Sequence, residues 1–384
     1  MNRFIIMPVS GGDPRSSPPD EAPDPLVQRG AQFPGLHGLR GILALWVVLF
    51  HTSPGGFGPI QVPRYGALAV DVFFIMSGFL LMHAHHQDFA PPRGVSARAV
   101  ARFISLRFWR TIPVHVIAVG LAFVLSWAVF GYVPTAPKLL RSLLLIYSWL
   151  MPAHNLLING AIWSLHFEWL GYFAFPWICM LLMRLRSWRA AATLAVAILA
   201  IETIVMLATG TTDPGELVAG PGAFGRMAGG FMLGCVLWVG FQHRAARRIH
   251  GDLPMLASVG AIIAILLLTD PVYTLAPMAL VVLLAARPGR VTAWLLGHPV
   301  SGFLGRISFS LYMIHQPIVH VSQHLQQTSH LPLPSAAFSA GAAVTALVVA
   351  SVVCIGAEEK LRRYGRRHTP ALEPPRLAET GARL

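Results

Sequence analysis

Charge is scarce in this sequence. Asp, Glu, Lys and Arg together make up 12% of its 384 residues, where a soluble domain carries about 25%, and the shortfall excludes a water-soluble globule. Acid is scarcer than base: 16 Asp and Glu against 29 Lys and Arg leave a net charge of +13. In a soluble chain that excess points to nucleic acid. Here the cations lie between long apolar runs, which is the distribution of a membrane protein and implies no nucleic-acid partner. Cysteine is nearly absent. Cys179, Cys235 and Cys354 each sit inside an apolar run without Cys-x-x-Cys spacing, so neither a disulfide framework nor a zinc site is available, and the three read as small apolar packers. No secretory leader is expected in the first 35 residues. Phe4 to Met7 is the only apolar run in the first 35 residues, and Pro8, Pro14, Pro18, Pro19, Pro23 and Pro25 mark residues 1–35 as a disordered cytoplasmic tail.

What is abundant is apolar sequence, at 55% of the chain. Segments of roughly 18 to 25 residues, the length that crosses a bilayer of about 30 Å, run near 36–54, 66–86, 111–131, 162–183, 190–209, 219–241, 253–270, 272–286, 302–325 and 335–356. Positive charge sets their direction. With ten spans and the N-terminus inside, Arg93, Arg98, Arg102, Arg107 to Arg110, Arg184, Arg186, Arg189, Arg244, Arg247, Arg248, Arg287, Arg290 and a tail from Lys360 to Arg383 are cytoplasmic, and the outside loops keep only Arg64 and Lys138. A shorter run over 139–151 carries Arg141 and is bordered by Pro137 and Pro152. If it crossed, every later basic loop would face outward, so it reads as re-entrant or buried against the bundle. The expected fold is an all-α polytopic membrane protein of about ten helices, with a membrane domain over 36–356, a basic cytoplasmic tail over 357–384, no internal repeat and no soluble domain.

Three acidic residues fall well inside these helices, Asp71, Glu168 and Glu202. A carboxylate at that depth costs about 2.5 to 3.5 kcal/mol on insertion scales, which makes each a functional candidate against the plainer reading of an ion pair that fixes packing. Arg40 and His51 are eleven residues apart, three turns plus about 20°, so they line one stripe of the first helix roughly 16 Å apart. Asp71 and Glu168 enter from the outside and fall at the approximate depth of His51. Arg107 and Arg110 open the third helix and Arg306 the ninth, at the opposite end. This axial segregation reads as a channel that binds an anion inside and carries out proton chemistry farther out; plain topological anchoring is the competing reading of the arginines. His83 and Asp88 fit the His-x4-Asp of glycerolipid acyltransferases by chance, and His83, His85 and His86 read as a solvated face, because nothing completes a metal geometry.

Residues 36–54, Leu-His-Gly-Leu-Arg-Gly-Ile-Leu-Ala-Leu-Trp-Val-Val-Leu-Phe-His-Thr-Ser-Pro, resemble the opening signature of the acyltransferase 3 family of integral membrane O-acyltransferases, with its Arg-x10-His as Arg40 and His51. Further family signatures follow in order: Val70 to Leu80, Arg107-Phe108-Trp109-Arg110-Thr111-Ile112-Pro113, Trp163-Ser164-Leu165-His166-Phe167-Glu168, and Ser308-Phe309-Ser310-Leu311-Tyr312-Met313-Ile314-His315-Gln316-Pro317. Many relatives carry a second acid after the position of Glu168, where Trp169 stands here. Some append an extracytoplasmic esterase-like domain, for which no room is left after residue 357, so the membrane domain is expected to complete the transfer.

The resemblance implies transfer of an acyl group, most often acetyl, from cytoplasmic acyl-coenzyme A to a hydroxyl of a carbohydrate or related envelope or secondary-metabolite acceptor, without a metal, in the cytoplasmic membrane. Arg107, Arg110 and Arg306 are the expected donor-phosphate ligands. His51 is the general base or the acyl acceptor, and Glu168 or Asp71 orients it or holds acceptor hydroxyls. Arg40 anchors the inner end of the stripe, and Trp163, Ser164 and His315 contact substrate or serve packing. Oligomeric state is left open. The rival reading is an exporter of a glycan precursor, since many carriers share ten helices with buried charges; crowding of the polar residues into the first four helices favours an enzyme. A non-catalytic subunit of a glycan assembly is the third reading.

Overall fold

The computed structural model describes residues 33–53, 62–150, 159–185, 187–208, 217–243, 248–329 and 333–372. Residues 1–32, the tail beyond 372 and the loop cations Arg186, Arg244 and Arg247 lie outside this set. Among the described residues the fold is helix and turn with no strand. Ten long helices succeed one another: α1 (Pro34–Thr52), α2 (Ala69–Phe89), α3 (Ala97–Phe130), α4 (Trp163–Leu182), α5 (Trp188–Ala208), α6 (Gly220–Phe241), α7 (Asp252–Leu268), α8 (Leu275–Ala286), α9 (Pro299–Thr328) and α10 (Ser335–Val353). The chain is an all-α polytopic membrane protein. Seven helical stretches, those of α1 to α6 and α10, are long and apolar enough to cross a membrane, and an eighth forms if Pro271–Ala286 is joined to Arg290–Gly297 across an 85° bend.

Three of the ten expected spans, α7, α8 and α9, fall short of this measure by themselves; α8 has only 12 residues and qualifies only with the helix beyond the bend. α7 has only 17 residues. α9 has 30 but is too polar to pass, because Ser308, Ser310 and His315 point into the protein, where all three are buried. α3 begins at Ala97, fourteen residues before the apolar run expected at 111. The Ser96 hydroxyl caps it by accepting from the Ala99 amide at 3.2 Å, and the Ala, Arg and Leu that follow are strong helix formers. Over 139–151, two short helices, Ala136–Leu143 and Tyr147–Leu150, of eight and four residues reach about 12 and 6 Å, far short of a bilayer. Leu145 separates them with a left-handed φ of 62°.

α1 and α9 pack side by side in the same direction. From the basic end outward, His37 Nε2 meets the Gly302 carbonyl at 3.1 Å, Arg40 reaches Ser308, and Gln323 Nε2 donates to the His51 carbonyl at 3.2 Å. Gly41 faces Gly305 so closely that a Cβ on Gly41 would overlap the opposing backbone. The absence of side chains there sets the spacing on which the polar pairs above depend. α5, α7 and α10 are peripheral: α10 buries only Ala342, Ala346 and Ala350, at i, i+4, i+8, and turns Val344, Val348 and Val352 outward. Such apolar outer faces belong in lipid.

Candidate active site

A cavity of about 220 Å³ opens between α1, α2, α3, α4 and α9. Arg40, Arg107 and Arg110 line it together with one carboxylate, Glu168. Three guanidiniums against one carboxylate leave the cavity cationic, and a desolvated cationic cleft selects an anionic ligand. Arg40 Nη2 donates to Ser308 Oγ at 3.1 Å, and Ser308 in turn donates to the Gly305 carbonyl at 2.8 Å, so the guanidinium is held from α9. Glu168 accepts from Ser77 Oγ at 2.5 Å. Ser164, Tyr172, Tyr312, Thr111 and His83 add to the polar lining, so His83 faces the cavity and not a solvated surface, and Ser164 Oγ lies 2.9 Å from the Tyr312 hydroxyl.

Arg107 is positioned by residues that the sequence reading placed on a solvated face. His85 is 2% exposed, packed edge-on against Phe103 at 5.0 Å. Its Nδ1 lies 2.8 Å from Asp88 Oδ2. A carboxylate accepts only, so Nδ1 carries the proton and Nε2 presents its lone pair, 3.5 Å from Arg107 Nη2. Asp88 also lies 3.6 Å from Arg102 Nη1. The relay Asp88–His85–Arg107 fixes one cavity cation while Nε of Arg107 stays unpaired. The i, i+3 spacing of His85 and Asp88 on a helix was the available signal.

His51 lies beyond the cavity wall, at the far end of α1. Its Nδ1 donates to the Val47 carbonyl at 2.9 Å and lies 3.2 Å from His315 Nε2. His315 Nδ1 faces the carbonyls of Tyr312 at 2.8 Å and Leu311 at 3.2 Å. Both Nδ1 atoms therefore carry hydrogen in the neutral rings, His315 Nε2 is an acceptor, and His51 Nε2 keeps its lone pair. The rings of Tyr312 and His315 lie 5.9 Å apart, and those of His315 and His51 4.9 Å, so one line of rings leads from the cavity to His51.

Other expected site residues lie elsewhere. Asp71 does not join His51: Arg226 of α6 grips it through Nε at 3.0 Å and Nη2 at 2.8 Å, with both side chains under 10% exposed. Trp163 packs beneath that pair, 5.2 Å from the Arg226 guanidinium, and edge-on to Phe74, and does not line the cavity. In the sequence Arg226 is a lone cation inside an apolar run with no motif around it, and its role emerges only from the pairing with Asp71. Arg306 is half exposed and bidentate to Glu359, at 2.6 and 2.8 Å, outside the cavity. Glu202 is buried against Gly229, with Oε2 unpaired. Among the described residues no group of three His, Cys, Asp or Glu stands ready to hold a metal ion.

Residues 33–355 match a family described as an acyltransferase domain. The chain is 26% identical to "Acyltransferase MdmB" of Streptomyces mycarofaciens over 94% of this chain and 99% of that protein. It is 26% identical to "Exopolysaccharide production protein ExoZ" of Rhizobium meliloti over 78% of this chain and 91% of that protein. A shorter likeness, 36% over 86 residues, covers 22% of this chain and 41% of "Protein 2 in picA locus" of Rhizobium radiobacter. No solved structure matches.

Proposed function

Since the chain belongs to the acyltransferase 3 family and is an enzyme that transfers acyl groups, we propose that it carries acetyl or another short acyl group from acyl-coenzyme A to a hydroxyl of a carbohydrate or related acceptor, and that it does so in the cytoplasmic membrane. The observation that carries this reading is the axial order of the site: three arginines in a cavity at the basic end, and beyond it an imidazole whose Nε2 is left with its lone pair by the Val47 and His315 contacts.

The basic end is cytoplasmic by its loop charges, which is where coenzyme A thioesters are held. Arg107, Arg110 and Arg40 bind anionic oxygens of the donor in geometries that a planar guanidinium suits, and the pantetheine arm lies along the line from Arg40 through Tyr312. His51 Nε2 takes the proton of the acceptor hydroxyl as its oxygen attacks the thioester carbon. The C–O bond forms, the C–S bond breaks, and the imidazolium returns the proton to the departing thiolate, giving ester and free coenzyme A. Glu168, fixed by Ser77, faces the acceptor. The name of the exopolysaccharide relative favours a polysaccharide acceptor.

The test is release of free thiol from acetyl-coenzyme A by the purified protein in nanodiscs, with isotope transfer from labelled acetyl to envelope glycan fractions followed by mass analysis. Acceptor-dependent thiol release that His51→Gln abolishes supports the reading. Thiol release independent of any hydroxyl acceptor overturns it.

A further inference from the structure

The C-terminal segment is a docked helix. Glu359–His368 continues α10 through a π-helical turn, Cys354–Glu358, and packs along the basic end of α3, with its start against α9. On the α3 side, Gly365 sits so close to Trp109 that a side chain there would displace the indole. Thr369 Oγ1 lies 3.0 Å from Ser105 Oγ, and Arg102 Nε donates to the Pro370 carbonyl at 3.1 Å. On the α9 side, Ser310 Oγ donates to Glu358 Oε2 at 2.6 Å. Positions 358, 362 and 365 are spaced i, i+4, i+7 and share one helix face. With Glu358 against α9 and Gly365 against α3, Arg362 lies on the helix face between those two contacts. Arg362 is near enough to act electrostatically on both Arg40 and Arg107. Arg366, one turn on, is half-buried, whereas Arg363 and Arg367 are exposed.

The cavity measures about 220 Å³, below the roughly 300 to 1,000 Å³ of sites that enclose a drug-sized ligand. It takes the thioester and pantetheine of a long donor, with Arg107 and Arg110 at the inner side of the diphosphate, and leaves the rest of the nucleotide outside, on the basic side where this helix packs. We infer that the C-terminal helix is the outer half of the donor site, where Arg362 and Arg366 hold the phosphates of the nucleotide end of acyl-coenzyme A. The inference rests on the donor reading above and adds a binding element to it. A guanidinium pair one helical turn apart matches a diphosphate, each oxygen taking charge-assisted hydrogen bonds.

The full-length protein in neutral-lipid nanodiscs tests this with R362A/R366A and, as a control, R363A/R367A on the exposed face. Two readouts are needed: calorimetric binding of adenosine 3′-phosphate 5′-diphosphate, and the ratio of kcat/KM for acetyl-coenzyme A to that for S-acetyl-pantetheine, which lacks the nucleotide. In R362A/R366A the nucleotide should bind about tenfold or more weaker, the effect of one lost hydrogen bond to a charged group, and the ratio should fall by the same factor while the control keeps both. An unchanged ratio and affinity overturn the inference. So does an equal loss in the control, which reports surface charge, or a loss seen only when anionic lipid is present, which reports membrane attachment of a basic helix. Wild-type protein that binds the nucleotide but turns over neither thioester sinks the catalytic reading and leaves this one standing.

Discussion

His315 Nε2 lies 3.2 Å from His51 Nδ1, and each ring turns its own Nδ1 toward main-chain carbonyls of the preceding turn. If His51 is the base, a second imidazole stands where a carboxylate stands in a catalytic triad: it shares the one Nδ1 hydrogen of His51 with the Val47 carbonyl and leaves Nε2 for the substrate. The expected consequence is a split between the two histidines. His51→Gln removes the proton acceptor and should cost about 10² to 10⁴ in kcat. His315→Ala frees the His51 ring to rotate and should cost roughly tenfold or more, with KM for the donor unchanged. Steady-state kinetics on both variants decide the matter; wild-type kcat in His315→Ala would return the pair to packing.

The donor cations should be separable into those that bind and those that position. Arg107→Ala and Arg110→Ala should each weaken acetyl-coenzyme A binding by about 1.5 to 3 kcal/mol. Asp88→Asn leaves His85 without its anionic acceptor, so the imidazole no longer holds one tautomer toward Arg107, and donor affinity should fall by a smaller amount in that variant. It should not fall further when Asp88→Asn is combined with Arg107→Ala, because the relay acts only through that guanidinium. Additive losses in the double variant would remove the relay.

The sequence made some of this site legible and concealed the rest for identifiable reasons. The Arg40 to His51 stripe follows from helix arithmetic alone, because both residues sit on one element. The partners of a buried charge do not. Asp71 is conspicuous as an acid in an apolar run, but its role is set by Arg226, 155 positions away, and no local pattern names that residue. His85 looks like one of a solvated group at a helix end until Phe103 of α3 packs against it and leaves it 2% exposed. The 357–384 segment has the composition of any basic tail. The fit of Gly365 to Trp109 and the Arg102 and Ser105 contacts show that part of it is a helix packed on α3.

Stability should depend on the Asp71–Arg226 pair more than turnover does. Both side chains are buried, and Arg226 also donates to the Leu217 carbonyl at 3.0 Å, so the pair ties α2 and α6 to the loop between α5 and α6. Asp71→Asn strands a guanidinium in a low-dielectric interior, at a cost of about 3 to 5 kcal/mol. The double change Asp71→Leu with Arg226→Met removes both charges and should recover much of that loss. Thermal unfolding in detergent reads the difference. Equal melting of Asp71→Asn and wild type, with activity lost, would instead put Asp71 in the chemistry.

Glu168 is the one carboxylate in a cavity that otherwise presents guanidiniums, and its charge acts in opposite senses on the two substrates. Toward an anionic donor it is repulsive, so Glu168→Gln should leave acetyl-coenzyme A affinity unchanged or tighter. Toward the acceptor it is an orienting group. Ser77 already donates to Oε1 at 2.5 Å and the Tyr172 hydroxyl is a further hydrogen-bond partner, which fixes the carboxylate plane for a substrate hydroxyl to meet a remaining lone pair. The amide keeps the shape and the Ser77 contact but weakens the acceptor oxygen, so kcat should fall by about ten- to a hundredfold, within the range of one lost hydrogen bond to a charged group. Isothermal binding of the donor and single-turnover acyl transfer, measured on the same preparation, separate the two effects. If donor affinity falls instead, Glu168 holds the arginines in register, and its place in acyl transfer is structural.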